Sequence, residues 1–396
     1  MKNLVVLLIV LVGVGVVPFA MAQDALSDTS SRSLEERVKQ LEEAAQIEDD
    51  KWPDRIEISG VLEFEASYEK KDSAVADEDS SDLSLATVEV GIGANITDHV
   101  SGHILFLYED DEDIVVDEGY ILLDGGDEIP LYLKAGEMYV PFGSFESNMI
   151  SDPLTLEMGE TRETALEIGF ESNGFYGALY AFNGDVDKAG EDSHVDNYGA
   201  KAGYGVETDA FSLDVGVSWI NNFGGIIEEF VAEMKSKDVA FALRDYVPGV
   251  GFHGILAFGP FTFIGEYVTL LDEPEWNVTD IVSGSMAALG LTPVMKGAEA
   301  ETYNIEAAYT CELGGRETVF AVGYQGAEDL ERETVFAVGY QGAENLEEAL
   351  PEKRYIGSVG IGLYDGTTLS VEYLHDEYED DVRKTDMVTA QLVVEF

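Results

Sequence analysis

Residues 163–172 read ETALEIGFES. Leu166, Ile168 and Phe170 alternate with Glu167, Gly169 and Glu171, so a strand here has one apolar face and one face carrying carboxylates. In a soluble sandwich the apolar face would point into a core. The same period of two recurs along the chain. Ile56, Ile58, Leu62, Phe64, Ala66 and Tyr68 alternate with Glu57, Glu63, Glu65 and serines. Ala86 to Ile96 alternates with Leu85, Thr87, Glu89, Gly91, Gly93 and Asn95, and Val388 to Phe396 alternates with Thr389, Gln391 and Glu395. A closed sheet with these apolar faces inside would still have to place the carboxylates, and burying so many would cost several kcal/mol each. A water-filled interior ringed by lipid satisfies both faces.

The fold expected is therefore all-β: a 16-stranded antiparallel transmembrane β-barrel over 54–396. The strands read as 55–69, 82–96, 99–109, 113–124, 130–140, 163–172, 174–183, 196–206, 209–219, 249–258, 260–271, 300–312, 316–326, 354–364, 367–378 and 385–396. Short connections alternate with mostly longer ones, as periplasmic turns alternate with outer loops. The faces of 113–124, 130–140 and 174–183 are poorly resolved by the pattern. Aromatics near strand ends, among them Tyr68, Tyr108, Phe170, Trp219, Tyr324 and Tyr373, fit interfacial girdles. Glu57, Glu63, Glu65, Glu89, Glu167, Glu171, Asp214 and Glu372 are the candidate lumen-facing acids.

The chain has 396 residues and sets 79 acidic against 22 basic ones, a formal net charge of -57. Nucleic acid is excluded as a partner, and cations are the natural counter-species. Cys311 stands alone, so no intrachain disulfide forms. It is expected on the strand face of Tyr303, Ile305 and Tyr309 as an inert apolar residue.

The N-terminus reads as a signal peptide over 1–22: Lys2, an apolar stretch from Leu4 to Phe19, then Ala20-Met21-Ala22. No later apolar run approaches the roughly 20 residues of a spanning helix. An outer-membrane location in a Gram-negative bacterium follows as the expectation, with outer-membrane lipid as a partner. Residues 23–53 read as a periplasmic stub and linker. Within it SLEERVKQLEEAAQ (33–46) carries a capping box, Ser33 with Glu36, and the coiled-coil seam Leu34, Val38, Leu41 and Ala45. The stub is a candidate site of homo-oligomerisation; a short helix packed on something else is the plainer alternative.

RETVFAVGYQGAEDLE (316–331) recurs at 332–347 as RETVFAVGYQGAENLE. Seventeen strands would put the two chain ends on opposite sides, so the first copy is expected to be the strand and the second to lengthen an outer loop. Residues 226–246 could form an amphipathic helix in another outer loop. The acid runs at 109–113 and 376–381 read as solvated charge. His99, His103, His194, His253 and His375 show no metal-ligand spacing. No nucleophile elbow or phosphate loop is present, so no enzyme, cofactor or metal is expected.

The connection after the fifth strand, MYVPFGSFESNMISDPLTLEMGETRE from Met138, holds the residues most able to carry function. Its position resembles the loop that folds into the lumen of general porins, with Pro141 and Gly143 ending the strand. Glu146, Asp152, Glu157 and Glu160 are then the candidate constriction residues, and a ring of carboxylates there favours cations. The alternative is that the loop lies outside and its acids are merely solvated.

Residues 141–161, PFGSFESNMISDPLTLEMGET, resemble the signature block of the LbtU-type siderophore porins. The signal peptide, short coiled coil and sixteen-run barrel match that family's layout. The resemblance implies passive uptake of a ferric siderophore without an energy-coupling plug. The roughly thirty residues between the cleavage site and the first strand leave no room for a plug. The extreme acidity and the duplicated strand depart from the family's pattern, and the resemblance carries over no ligand residues. A general cation-preferring diffusion porin and a structural or adhesive envelope barrel remain the alternatives.

Overall fold

Apolar and polar side chains alternate from Ile56 onward because successive Cβ atoms of a strand point to opposite faces. In the computed structural model this pattern becomes a sheet closed on itself. The structure describes residues 55–396 outside 74–76, 111, 185, 187, 189–193, 225–240, 279–293, 297–298, 329–349 and 379–382. Its strands are β1 Ile56–Asp72, β2 Glu78–Thr97, β3 Val100–Glu109, β4 Val115–Asp124, β5 Leu131–Tyr139, β6 Arg162–Ser172, β7 Phe175–Phe182, β8 Asn197–Glu207, β9 Phe211–Ile220, β10 Phe241–Leu243, β11 Gly249–Phe258, β12 Phe261–Leu270, β13 Glu275–Val278, β14 Val294–Lys296, β15 Glu301–Leu313, β16 Arg316–Glu328, β17 Lys353–Tyr364, β18 Thr367–Glu377 and β19 Lys384–Glu395.

Sixteen of these close the barrel, each paired antiparallel with its neighbours in chain order. β19 returns to β1 in the register Leu62 with Val394. The seam extends to the last residue, where Gly60 and Phe396 exchange backbone hydrogen bonds of 3.0 and 3.1 Å. β10, β13 and β14 form a separate three-stranded sheet, which sequence patterning missed in the connections at 220–248 and 272–299.

Leu166, Ile168 and Phe170 face outward and are exposed, whereas Glu163, Ala165 and Glu167 between them are buried. The opening stretch thus presents its greasy side to the outside. β1 does the same with Ile58, Leu62, Phe64 and Tyr68. Outward aromatics on adjacent strands touch in series, Tyr303 to Tyr324 at 5.7 Å and Tyr324 to Tyr355 at 5.2 Å, as an interfacial girdle requires. No helix among the described residues is long and apolar enough to cross a membrane; the strands do the crossing.

Several expectations need correction. A bulge opposite Glu63 and Phe64 skips Ala86 and reverses the phase of β2. Leu85 therefore points outward with Leu83, both exposed, and not into the lumen. Asp376 is no solvated charge; it is buried and ion-paired inside the barrel. Residues 241–243 are strand, so a helix cannot run to 246. The lumen is also not wet throughout. Phe142, Leu154 and Met158 pack with Met138, Phe182, Ile220, Phe223 and Val268 into an apolar cluster inside one side of the wall. The first copy of the duplication is β16. The second copy at 332–347, the signal peptide, the stub with Leu34, Val38, Leu41 and Ala45, and residues 226–240 lie outside the described residues.

Candidate pore constriction

Between β5 and β6 the chain turns into the barrel. Pro141 cannot donate to the sheet, and Gly143 takes φ +68, a left-handed conformation open to glycine at little cost. A Cβ there would also meet the Phe145 ring at 2.3 Å. From this hinge the loop crosses the inner wall and is pinned to strands far away in sequence.

Three wall glutamates do the pinning, each accepting several bonds. Glu266 on β12 accepts from Ser144 N at 2.6 Å, Phe145 N at 3.0 Å and Thr155 Oγ1 at 2.9 Å. Glu306 on β15 accepts from Ser147 Oγ at 2.7 Å, Asn148 N at 2.8 Å and Asn148 Nδ2 at 3.1 Å. Glu372 on β18 accepts from Ile150 N at 2.6 Å, Ser151 N at 3.1 Å and Ser151 Oγ at 2.6 Å. A buried carboxylate needs its oxygens hydrogen-bonded, and these donors supply the partners. All three are buried. Gln325 Oε1 accepts from Leu154 N at 3.1 Å and Ser358 Oγ donates to Asn148 O at 3.1 Å, adding β16 and β17 to the contact.

Two cations complete the attachment. Lys201 on β8 donates to Gly143 O at 2.7 Å. Arg354 on β17 forms a fork on Asp376, Nε to Oδ1 at 2.9 Å and Nη2 to Oδ2 at 3.1 Å, and its Nη1 reaches Glu157 Oε1 at 2.9 Å. Glu157 lies on the short helix α1, Leu154–Gly159, whose Leu154 and Met158 face the apolar cluster.

The four acids singled out in this loop thus have different surroundings. Glu146 and Asp152 are exposed on the inward-folded loop. Glu157 is tied to Arg354. Glu160, near the loop's return and outside the strands, has its carboxyl pushed up to about 7, first by burial and then by the neighbouring Asp152 and Asp117 charges. Asp152 is within Coulomb reach of Glu65 on β1 and Glu109 on β3.

The wall acids also divide. Glu57 and Glu171 are exposed, and Glu63, Glu65 and Glu89 are half-buried, with Gln391 Nε2 donating to Glu65 at 2.9 Å. Glu167 is buried and accepts from Tyr132 Oη at 2.5 Å. Asp214 accepts from Tyr176 Oη at 2.8 Å and lies 2.8 Å from His253 Nε2. Glu372 faces inward but is covered by the loop it holds. Glu266, Glu306, Gln325, Lys201 and Arg354 were not singled out from sequence. A usable signal existed for Glu266: it sits among the inward positions Ile264, Val268 and Leu270, where a lone acid needs donors. Among the described residues no group of three or more His, Cys, Asp or Glu could hold a metal ion.

A closed sixteen-strand antiparallel barrel, apolar outside and crossed inside by a pinned loop, defines an outer-membrane β-barrel of porin architecture. No protein-family model matches the chain. In sequence it is 26% identical over 331 residues to a UPF0422 protein of Coxiella burnetii, covering 81% of this chain and 64% of that protein. It is 23% identical over 328 residues to a UPF0422 protein of Legionella pneumophila (strain Lens), covering 74% of this chain and 54% of that one. The chain therefore spans less than two thirds of the length of these relatives. In fold it is similar to Pseudomonas putida OprB, with TM-score 0.58, 8% identity, and 90% of this chain and 97% of that one covered. It is likewise similar to the outer membrane channel DcaP of Acinetobacter baumannii, with TM-score 0.55, 14% identity, and 86% and 97% covered.

Proposed function

We propose that the barrel is a passive pore of the outer membrane, narrowed by the loop at 140–161 and favouring cations. The observation that carries this reading is the disposition of charge inside the barrel. Glu146 and Asp152 are exposed on the inward loop, and Glu63, Glu65 and Glu89 are partly open on the wall. The cations Lys134, Lys201 and Arg354 are already engaged, by Glu118, by Gly143 O, and by Asp376 with Glu157. Carboxylates in a narrow passage with low-dielectric walls raise the local cation concentration.

The solute class implied by the resemblance of the 141–161 block is a ferric siderophore, crossing by diffusion. A general cation-preferring pore is the second reading, supported by acids on both loop and wall. The two separate by solute charge, because such a passage disfavours ferric complexes of net negative charge. Reversal potentials in planar bilayers across a KCl gradient test the pore itself: cation preference, reduced in Asp152→Asn, is expected, and anion preference would overturn it. Ferric-siderophore-dependent growth of a deletion strain tests the finer reading; growth unaffected by the deletion would leave the general pore.

A further inference from the structure

The strand β16, Arg316–Glu328, reads RETVFAVGYQGAE, and residues 332–344 repeat it without a change. Where the longer copies differ, Asp329 against Asn345, the position lies beyond the paired strand. The wall therefore holds no residue of β16 that the second copy lacks. Phe320 and Val322 face outward and are exposed. Tyr324 packs between Tyr303 and Tyr355 at 5.7 and 5.2 Å. Gln325 is buried and accepts from Leu154 N of the constriction loop. Gly323 lets Ile356 and Met149 approach, where a Cβ would meet them at 2.7 and 3.1 Å. Phe336, Val338, Gly339, Tyr340 and Gln341 are the same residues at the same spacing.

We propose that the chain folds into either of two barrels with the same wall, one with Arg316–Glu328 as β16 and one with 332–344 in its place. Register normally pins a strand because a shift changes which side chains meet the neighbours. A shift by the whole repeat changes none of them. Pairing with β15 and β17, such as Tyr309 with Phe320 and Tyr355 with Tyr324, is met equally by either copy. The number of wall strands also stays even, so both chain ends keep their sides.

Only the connections differ. With the first copy in the wall they run over 314–315 and 329–352; with the second they run over 314–331 and 345–352. Loop-closure entropy favours the first form about fivefold. Gly314 and Gly315 take φ +62 and +79, the conformation of a two-residue hairpin turn, which adds to that bias. Exchange within the finished barrel would strip the hydrogen bonds of β16 from both neighbours in lipid, so the choice is made during folding. Damage to either copy is then bypassed by the other, with the loop at 140–161 and its anchors unaltered.

The test uses the full chain refolded into phosphatidylcholine vesicles, with the native Cys311 as reporter. Cys311 faces Thr318 across the β15–β16 ladder, and cross-strand neighbours lie within disulfide range. Under oxidation, Thr318→Cys cross-links to Cys311 when the first copy is in the wall, and Thr334→Cys does so when the second is. Peptide mass spectrometry reads both in barrels that keep the heat-dependent gel shift. In the unaltered strand the cross-link at 318 should exceed that at 334 about fivefold or more. Val322 is at the middle of β16 and exposed toward lipid. Arg at the bilayer midplane disfavours a barrel strand about thirtyfold or more. Val322→Arg should therefore move most of the cross-link to 334 with folding retained, and Val338→Arg should abolish the cross-link at 334. Three results overturn the proposal: Val322→Arg barrels that still cross-link at 318, a cross-link at 334 that Val322→Arg does not raise, or a Val322→Arg chain that folds no better than the same variant lacking 332–347.

Discussion

Removing the carboxylate of Glu372 should release the tip of the constriction loop without unfolding the barrel. Glu372 is 1% exposed and accepts three bonds from Ile150 and Ser151. Hydrogen bonds to a charged group contribute about 1.5–3 kcal/mol each. Against this, Glu372→Ala also removes the cost of holding a carboxylate away from water, which is several kcal/mol. Glu306, Glu266 and Arg354 keep their grip on the rest of the loop. The net change for the segment around Ile150 and Ser151 is about 3 kcal/mol, or about a hundredfold more of the released form. Single-channel conductance in planar bilayers should rise and become noisier. Cation preference should fall, because Asp152 follows Ser151 directly and moves with it. Glu372→Gln keeps one acceptor oxygen but turns an amide toward the loop's donors, so an intermediate effect is expected. Hydrogen exchange over 144–155 reports the same release independently. Unchanged conductance, selectivity and exchange in Glu372→Ala would refute the pinned-loop reasoning.

Arg354→Met strips the partner from buried Asp376 and from Glu157, and loss of one member of a buried pair costs about 3–5 kcal/mol; a lowered thermal midpoint in detergent checks it, and Arg354→Lys should not restore it because the fork on Asp376 is lost. Glu160, with its carboxyl near 7, is charged above that pH and neutral below it, so cation preference should fall as pH drops through about 7 and Glu160→Gln should flatten that step. The sign for stability is opposite to that of an ion-paired acid: with the folded value raised, this group favours the folded state increasingly as pH falls from about 7 toward the ordinary carboxylate range. Val371→Arg places a cation on the outward face of β18 and should cost about 2–4 kcal/mol if that site lies near the bilayer midplane, measured by equilibrium unfolding in vesicles.

Legibility varied along the chain for physical reasons. The stretch read as 163–172 is strand at 162–172, because lipid on one side and polar lumen on the other force a strict period of two. The faces of β4, β5 and β7 resisted reading. β4 carries the Asp117 bulge. β5 and β7 turn Met138, Tyr180 and Phe182 inward, where they join the apolar cluster around the loop, so large apolar side chains lie on both faces of those strands. The loop's place inside the barrel followed from its position in the strand order. Its anchors did not, since Glu266, Glu306 and Glu372 look in sequence like any other lumen acid.

The sequence by itself determined the number and pairing order of the wall strands, and the outward face where the alternation is clean, because each is local: a period of two, a turn length, a greasy or wet neighbour. Only the tertiary structure decided which carboxylates stay open to the passage and which bind the loop. That choice turns on contacts between residues more than a hundred positions apart, such as Ser144 with Glu266 and Ile150 with Glu372. No local pattern encodes such contacts, and they form only when closure brings the far wall within hydrogen-bonding reach.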